Sequence, residues 1–172
     1  MALEIVTDRL RLRRARPTDL DDLFAVLSHP AAMRFWSTPP HADRDQTRAW
    51  LHGMVTAPPD ASDDFVIELK GRVVGKAGCY RLPDVGYILH PDVWGLGYAT
   101  EALSAFIPHV FAAHALDRLT ADVDPRNGAS LRLLEKLGFV ETGRAARTWL
   151  VGEEWCDSVY LALHRPDIAC PA

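Results

Sequence analysis

The run DVWGLGYATEAL, Asp92 to Leu103, sets Gly95 and Gly97 one residue apart between a strand-like and a helix-like segment, with no lysine or arginine within it. A helix N-terminus carries several N–H groups without intrahelical partners and about half a positive charge. Glycines there have no Cβ to keep an anion away from those amides, so the junction suits phosphate held without a basic side chain. A glycine pair at such a turn also serves tight geometry alone, and both readings stand at this point. Two familiar phosphate motifs are excluded. No Gly-Lys-Ser/Thr is present, and Thr100 stands where the dinucleotide fingerprint needs its third glycine. Several consecutive amides converging on one point suggest a diphosphate.

The elements that must position this turn follow from periodicity. Phe65 to Leu69 and Val73 to Leu82 read as a β-hairpin, with a third strand at Asp84 to Leu89 leading into the glycines. Tyr98 to about His114 is helical, with Ala99, Ala102, Leu103, Phe106 and Val110 on one face and Pro108 expected to kink it. Upstream, Arg9 to Arg14 alternates as a strand. Thr18 is expected to cap a helix carrying Leu20, Leu23, Phe24 and Leu27, which Pro30 ends. A second helix carries Ala49, Trp50 and Met54. Downstream come a strand at Leu119 to Val123, a helix from Ser130 to Leu137 closed by Gly138, and a hairpin from Arg147 to Leu163. This order describes a mixed α/β sheet with flanking helices in one domain spanning residues 1–172.

The bulk properties agree with a single globular domain. It has 172 residues, 48% of them hydrophobic and 24% charged, enough to bury a core. A net charge of -4 argues against a broad nucleic-acid surface. Cys79, Cys156 and Cys170 are widely spaced and odd in number, so they form neither a disulfide framework nor a metal set and fit a reducing compartment. No signal pattern and no apolar run of membrane-spanning length is present. The chain is read as cytoplasmic, with no membrane or nucleic-acid partner and no metal.

Taken with the motifs above, VGYILHPDVWGLGYATEAL resembles the acyl-CoA motif of the GNAT acetyltransferase superfamily. DPRNGASLRLLEKLGF resembles its second CoA-contacting segment. IVTDRLRLRRARPTDLDDLFAVLSHP and GEEWCDSVYLALHRPD resemble the start and the last hairpin of the RimJ/RimL-like branch. The four segments occur in the expected order along nearly the whole chain. The resemblance implies a GNAT fold, α/β or α+β, whose mostly antiparallel sheet has splayed central strands. It also implies acetyl-CoA as co-substrate and a primary amine, protein N-terminal or small, as acceptor, in a monomer or homodimer. Carried over by position, Gly95, Leu96, Gly97, Tyr98, Ala99 and Thr100 would surround the CoA diphosphate. Ile88 and Leu89 would offer backbone groups to the pantetheine arm, and Asn127 and Ser130 would lie near the arm and the sulfur. Leu96 departs from the pattern where a basic residue is common, and Trp94 where many members have Arg or Gln, so phosphate affinity would rest more on amides, or on Arg126, Arg132 and Lys136.

Transfer to an amine raises two proton problems. An alkyl ammonium with a pKa near 10 costs roughly 4 kcal/mol to present neutral at pH 7. A base, acting directly or through water, is therefore expected near the acceptor. The resemblance points to Asp84, with Glu68 and His90 as weaker candidates and a turn role for Asp84 as the alternative. The leaving thiolate, with a pKa near 8.5, costs roughly 2 kcal/mol unaided. Leu134 stands where many relatives have an acidic tyrosine, and Ser130 is the candidate donor. Asn127 and Ser130 equally read as the cap and first turn of their helix. The Leu89 N–H is a candidate oxyanion donor. Phe35, Trp36, Trp50, Trp149 and Trp155 are expected to border the acceptor cleft. Alternative functions are a silent acyl-CoA sensor and a transferase of a larger acyl group such as succinyl.

Overall fold

The computed structural model describes residues 3–166, so Cys170 lies outside the described residues. The strands are β1 (Glu4–Val6), β2 (Arg11–Arg13), β3 (Asp63–Leu69), β4 (Arg72–Arg81), β5 (Asp84–Leu89), β6 (Arg118–Val123), β7 (Val140–Val151) and β8 (Glu154–His164). The helices are α1 (Leu20–Leu27), α2 (Pro30–Met33), α3 (Arg44–Thr56), α4 (Tyr98–Ala113) and α5 (Gly128–Lys136). The sheet order is β1-β2-β3-β4-β5-β6-β8-β7, antiparallel at every described contact except β5–β6.

Each face of the sheet carries its own core. On one side Leu103, Phe106 and Val110 of α4 and Leu134 of α5 pack on Phe65, Ile67, Leu119 and Leu161. On the other, Leu23 and Leu27 of α1, Met33 of α2 and Leu51 of α3 pack on Val66, Val73 and Ile88. The odd and even residues of β3 therefore serve different cores, as a period of two requires for a strand covered on both faces.

Local differences from the sequence expectations have physical causes. Thr18 does not cap α1. It lies in a 3-10 turn, Pro17–Asp19, and the Asp19 carboxylate accepts the Arg16 N–H at 2.7 Å. The same carboxylate takes the buried Arg13 guanidinium through both oxygens at 2.8 and 2.9 Å, which ties α1 to the sheet. Pro30 does not merely end α1 but opens α2, where its missing N–H leaves no bond unmade. The face that α3 buries carries Thr47 and Leu51 with Trp50 and Met54, while Ala49 is exposed. Arg9 lies outside β2, and α4 continues through Pro108 to Ala113.

Candidate active site

β5 and β6 meet at one point. Asp84 pairs with Thr120, whose N–H donates to the Pro83 carbonyl at 3.1 Å, and no further pairing follows toward Leu89 and Val123. A cavity of about 750 Å³ opens in this V, between Tyr87, Ile88 and Leu89 on one arm and Ala121, Asp122 and Val123 on the other. That volume lies in the range of small-molecule and cofactor sites.

The β5 edge is prepared for a ligand by ladder alternation. The His90 N–H donates to the Val74 carbonyl at 2.8 Å. Antiparallel pairs alternate, so the adjacent Leu89–Gly75 pair turns its peptide groups away from its partner strand. The Leu89 carbonyl accordingly accepts the Trp94 indole N–H at 2.9 Å. By the same alternation Tyr87 presents its peptide groups to the gap, while Ile88 turns its own toward Lys76. The expectation for Leu89 thus fits the ladder. For Ile88 it is corrected: its backbone serves β4, and its side chain lines the wall. Close approach here needs Gly75, since a Cβ on it would stand 2.1 Å from the Ile88 carbonyl oxygen.

The glycine turn completes one end of the cavity. Gly95 and Gly97 have φ of 72° and 82°, a left-handed conformation that other residues enter at a cost. Gly97 is the N-cap of α4 and supplies no capping side chain, whereas Asp43 caps α3 and Asn127 caps α5. The first intrahelical bond of α4 runs from Glu101 N–H to Gly97, which leaves the Tyr98, Ala99 and Thr100 amides at the uncapped end. Gly95, Gly97, Tyr98, Ala99 and Thr100 all line the cavity. Leu96 does not: its side chain is exposed, and its carbonyl accepts Arg9 Nη1 at 2.9 Å.

Asn127 and Ser130 line the wall at the start of α5. Asn127 Oδ1 caps the helix by accepting the Ser130 N–H at 3.2 Å. The Ser130 hydroxyl is bonded to the Tyr87 hydroxyl at 2.6 Å. Burial pushes the Tyr87 phenol above its ordinary pKa, only partly offset by the Ser130 bond, so it stays protonated at neutral pH. Tyr87 was not foreseen, although alternation along Val85 to Leu89 places it on the strand face shared with those two.

The expected bases lie elsewhere. Asp84 sits at the vertex, outside the cavity wall. Its Oδ1 accepts the Thr120 hydroxyl at 2.5 Å and its Oδ2 accepts Arg81 Nη2 at 3.0 Å. Glu68 is bound by Arg13 Nε at 2.7 Å, and His90 Nδ1 accepts the Asp92 N–H at 3.3 Å. The wall carboxylates are instead Asp122, Asp124 and Asp157. Asp122 accepts the Trp149 indole N–H at 2.7 Å, and Asp157 accepts the Arg147 N–H at 2.9 Å. Bonds from the Arg126 guanidinium hold the Asp124 carboxyl below its ordinary range. Arg126 is committed to Asp124 and Glu154 at 2.6 and 2.5 Å. Phe35, Trp36 and Trp149 join this wall, whereas Trp50 and Trp155 do not.

Residues 9–140 match the acetyltransferase (GNAT) domain. The chain belongs to the GNAT acetyltransferase family. Its relatives include the uncharacterized N-acetyltransferase p20 of Bacillus licheniformis, 27% identical over 81% of this chain and 83% of that protein. The [ribosomal protein uS5]-alanine N-acetyltransferase of Escherichia coli is 35% identical over 52% of this chain and 46% of that enzyme. RimL, the ribosomal L7/L12 α-N-protein acetyltransferase solved with coenzyme A, shares the fold with a TM-score of 0.83. It is 19% identical and covers 94% of this chain and 98% of RimL. As a GNAT enzyme the protein is an acyltransferase, and its mostly antiparallel sheet with flanking helices is the GNAT architecture. Among the described residues no group of three or more His, Cys, Asp or Glu could hold a metal ion.

Proposed function

We propose that this GNAT enzyme transfers an acetyl group from acetyl-CoA to a primary amine by direct attack in a ternary complex. The observation that carries the reading is continuity: one cavity joins the uncapped N-terminus of α4, the unpaired edge of β5 and the Tyr87–Ser130 hydroxyl pair. These residues fit acetyl-CoA by chemistry. The α4 amides and glycines hold a pyrophosphate, the β5 edge holds an amide-bearing arm, and the thioester then lies by Ser130. Leu89 N–H donates to the carbonyl oxygen as negative charge develops there. Ser130, with the neutral Tyr87 phenol behind it, donates to the departing sulfur.

The acceptor enters past Phe35, Trp36 and Trp149. Asp122 and Asp157, each with one oxygen engaged, attract a protonated amine and receive its proton directly or through water. Turnover is tested by thiol release from acetyl-CoA and from succinyl-CoA across a panel of peptide N-termini and small amines. Release with at least one amine, faster from acetyl-CoA, is the expected result. Tight coenzyme A binding without turnover would instead identify a sensor. Tyr87→Phe is expected to lower kcat about tenfold with little change in KM for acetyl-CoA, because the pair acts on the leaving group and not on binding. An unchanged kcat would remove the pair from the proton path.

A further inference from the structure

The glycine turn contains no cation of its own, yet one reaches it from the far end of the chain. Arg9 spans the gap between β1 and β2 and touches the turn in several ways. Its Nη1 donates to the Leu96 carbonyl at 2.9 Å, and its Nε donates to Glu101 Oε2 at 2.6 Å. Its backbone N–H donates to Glu101 Oε1 at 2.9 Å, and the Thr7 hydroxyl donates to the same oxygen at 2.6 Å. The guanidinium lies over the Tyr98 ring, 4.4 Å from its centroid. Among the described residues Arg9 Nη2 takes no hydrogen-bond partner, and it stands 3.4 Å from where a Cβ on Gly97 would be.

Each contact has a consequence for an anion at the turn. Glu101 is an acid in the first turn of α4, beside the amides that would bind phosphate. Uncompensated, its charge would oppose a pyrophosphate at that turn. Burial works to raise the Glu101 pKa, but the bonds from Thr7 and Arg9 outweigh it and hold the carboxyl ionised below its usual range. The Arg9 fork cancels that charge and fixes Leu96, the residue between the two left-handed glycines. Arg126 is tied to carboxylates on the acceptor side and is not a substitute.

We propose that Arg9, which stands behind the cavity wall and not in it, is an affinity-determining residue of the pyrophosphate turn: it clamps Leu96 and Glu101 and holds Nη2 beside Gly97, where its charge offsets that of a bound pyrophosphate. The proposal rests on the acetyl-CoA reading of the cavity and adds to it a supporting role for the opening segment. It also explains how a leucine is tolerated at position 96.

The test compares coenzyme A with pantetheine, which keeps the arm and lacks the pyrophosphate. Binding of both is measured by calorimetry to wild type, Arg9→Ala and Arg9→Lys, with Tm recorded for each. Arg9→Ala is expected to weaken coenzyme A about tenfold to a hundredfold, the range for losing a charge-assisted contact, and to change pantetheine less than about twofold. Arg9→Lys restores charge without the planar fork and is expected to fall between wild type and Arg9→Ala. It also decides the matter should Arg9→Ala fail to fold. Equal losses for the two ligands would show a merely structural role and overturn the proposal, as would unchanged coenzyme A affinity in both variants. Coenzyme A binding lost on Arg9 substitution, in a wild type that transfers no acyl group, would leave this proposal standing and remove the acetyltransferase reading. A wild type that does not bind coenzyme A would remove both.

Discussion

Gly97 lines the cavity at the glycine turn, and Asp84 sits at the vertex where β5 and β6 part. Gly97 combines a φ of 82° with the uncapped N-cap position of α4. Gly97→Val therefore fails through backbone strain as well as through side-chain bulk at the amides, since a β-branched residue is a poor occupant of the left-handed region. Coenzyme A affinity is expected to fall at least about tenfold, and unchanged calorimetric affinity would contradict the cradle. Asp84 acts at the other end of the V. Its carboxylate holds Thr120 and Arg81 at the point where β5 and β6 part, so its work is to fix the vertex. Asp84→Asn is expected to cost about 1 kcal/mol of stability, measured by denaturant unfolding. Its activity relative to wild type is expected to stay flat across pH. A ratio that recovers at high pH would restore Asp84 as the base.

At the scale of elements, the supports of the site are expected to respond to pH through His41. This residue leads into α3, its Nδ1 lies 2.8 Å from the Thr47 hydroxyl, and its N–H donates to the Leu27 carbonyl at the end of α1. Burial lowers the His41 pKa below 6.5, against a smaller opposing effect of Asp43. The unfolded chain therefore takes up a proton that the folded chain refuses. Stability from this group is fully present above the unfolded value and is lost as pH falls through the folded one. A variant without the titration, His41→Asn, is expected to show a smaller Tm drop between about pH 7.5 and about pH 5.5 than wild type does. Equal drops would assign the acid sensitivity elsewhere. Elements of this kind were largely legible in sequence: β3, β4, β5 and α4 announce themselves by alternation or helical spacing. Their ends were not. Thr18 looks like a cap, but Asp19 is engaged by the buried Arg13 of β2 and by the Arg16 N–H, and α1 starts at Leu20. Strand β1 has three residues, too few for a period to show.

At the scale of the whole molecule, the site was legible where it is local and illegible where the sheet assembles it. The glycine turn and the Asn127–Ser130 cap lie within short runs whose residue types declare their geometry. The vertex role of Asp84, the Tyr87–Ser130 bond and the reach of Arg9 across the fold depend on strand order and splay, which no window of sequence contains. That splay also bears on the proposed kinetic scheme. β5 and β6 open to both faces of the sheet, with Tyr87 and Ser130 toward α4 and α5, and the Trp36 and Trp149 wall toward the acceptor. The proposed direct attack has both substrates in the cavity together, with no covalent relay. Among the described residues the one thiol in the cavity wall, Cys156, is poorly suited to such a relay. Burial, reinforced by the Glu154 carboxylate, pushes it above its ordinary pKa despite Arg126, and the thiol is a far weaker nucleophile than the thiolate. Initial rates with both substrates varied are expected to give intersecting double-reciprocal lines. Acetyl-CoA without amine is expected to release no burst of thiol, and Cys156→Ser should keep kcat within about twofold of wild type. Parallel lines, together with a burst that disappears in Cys156→Ser, would replace direct attack with an acyl-enzyme on that sulfur.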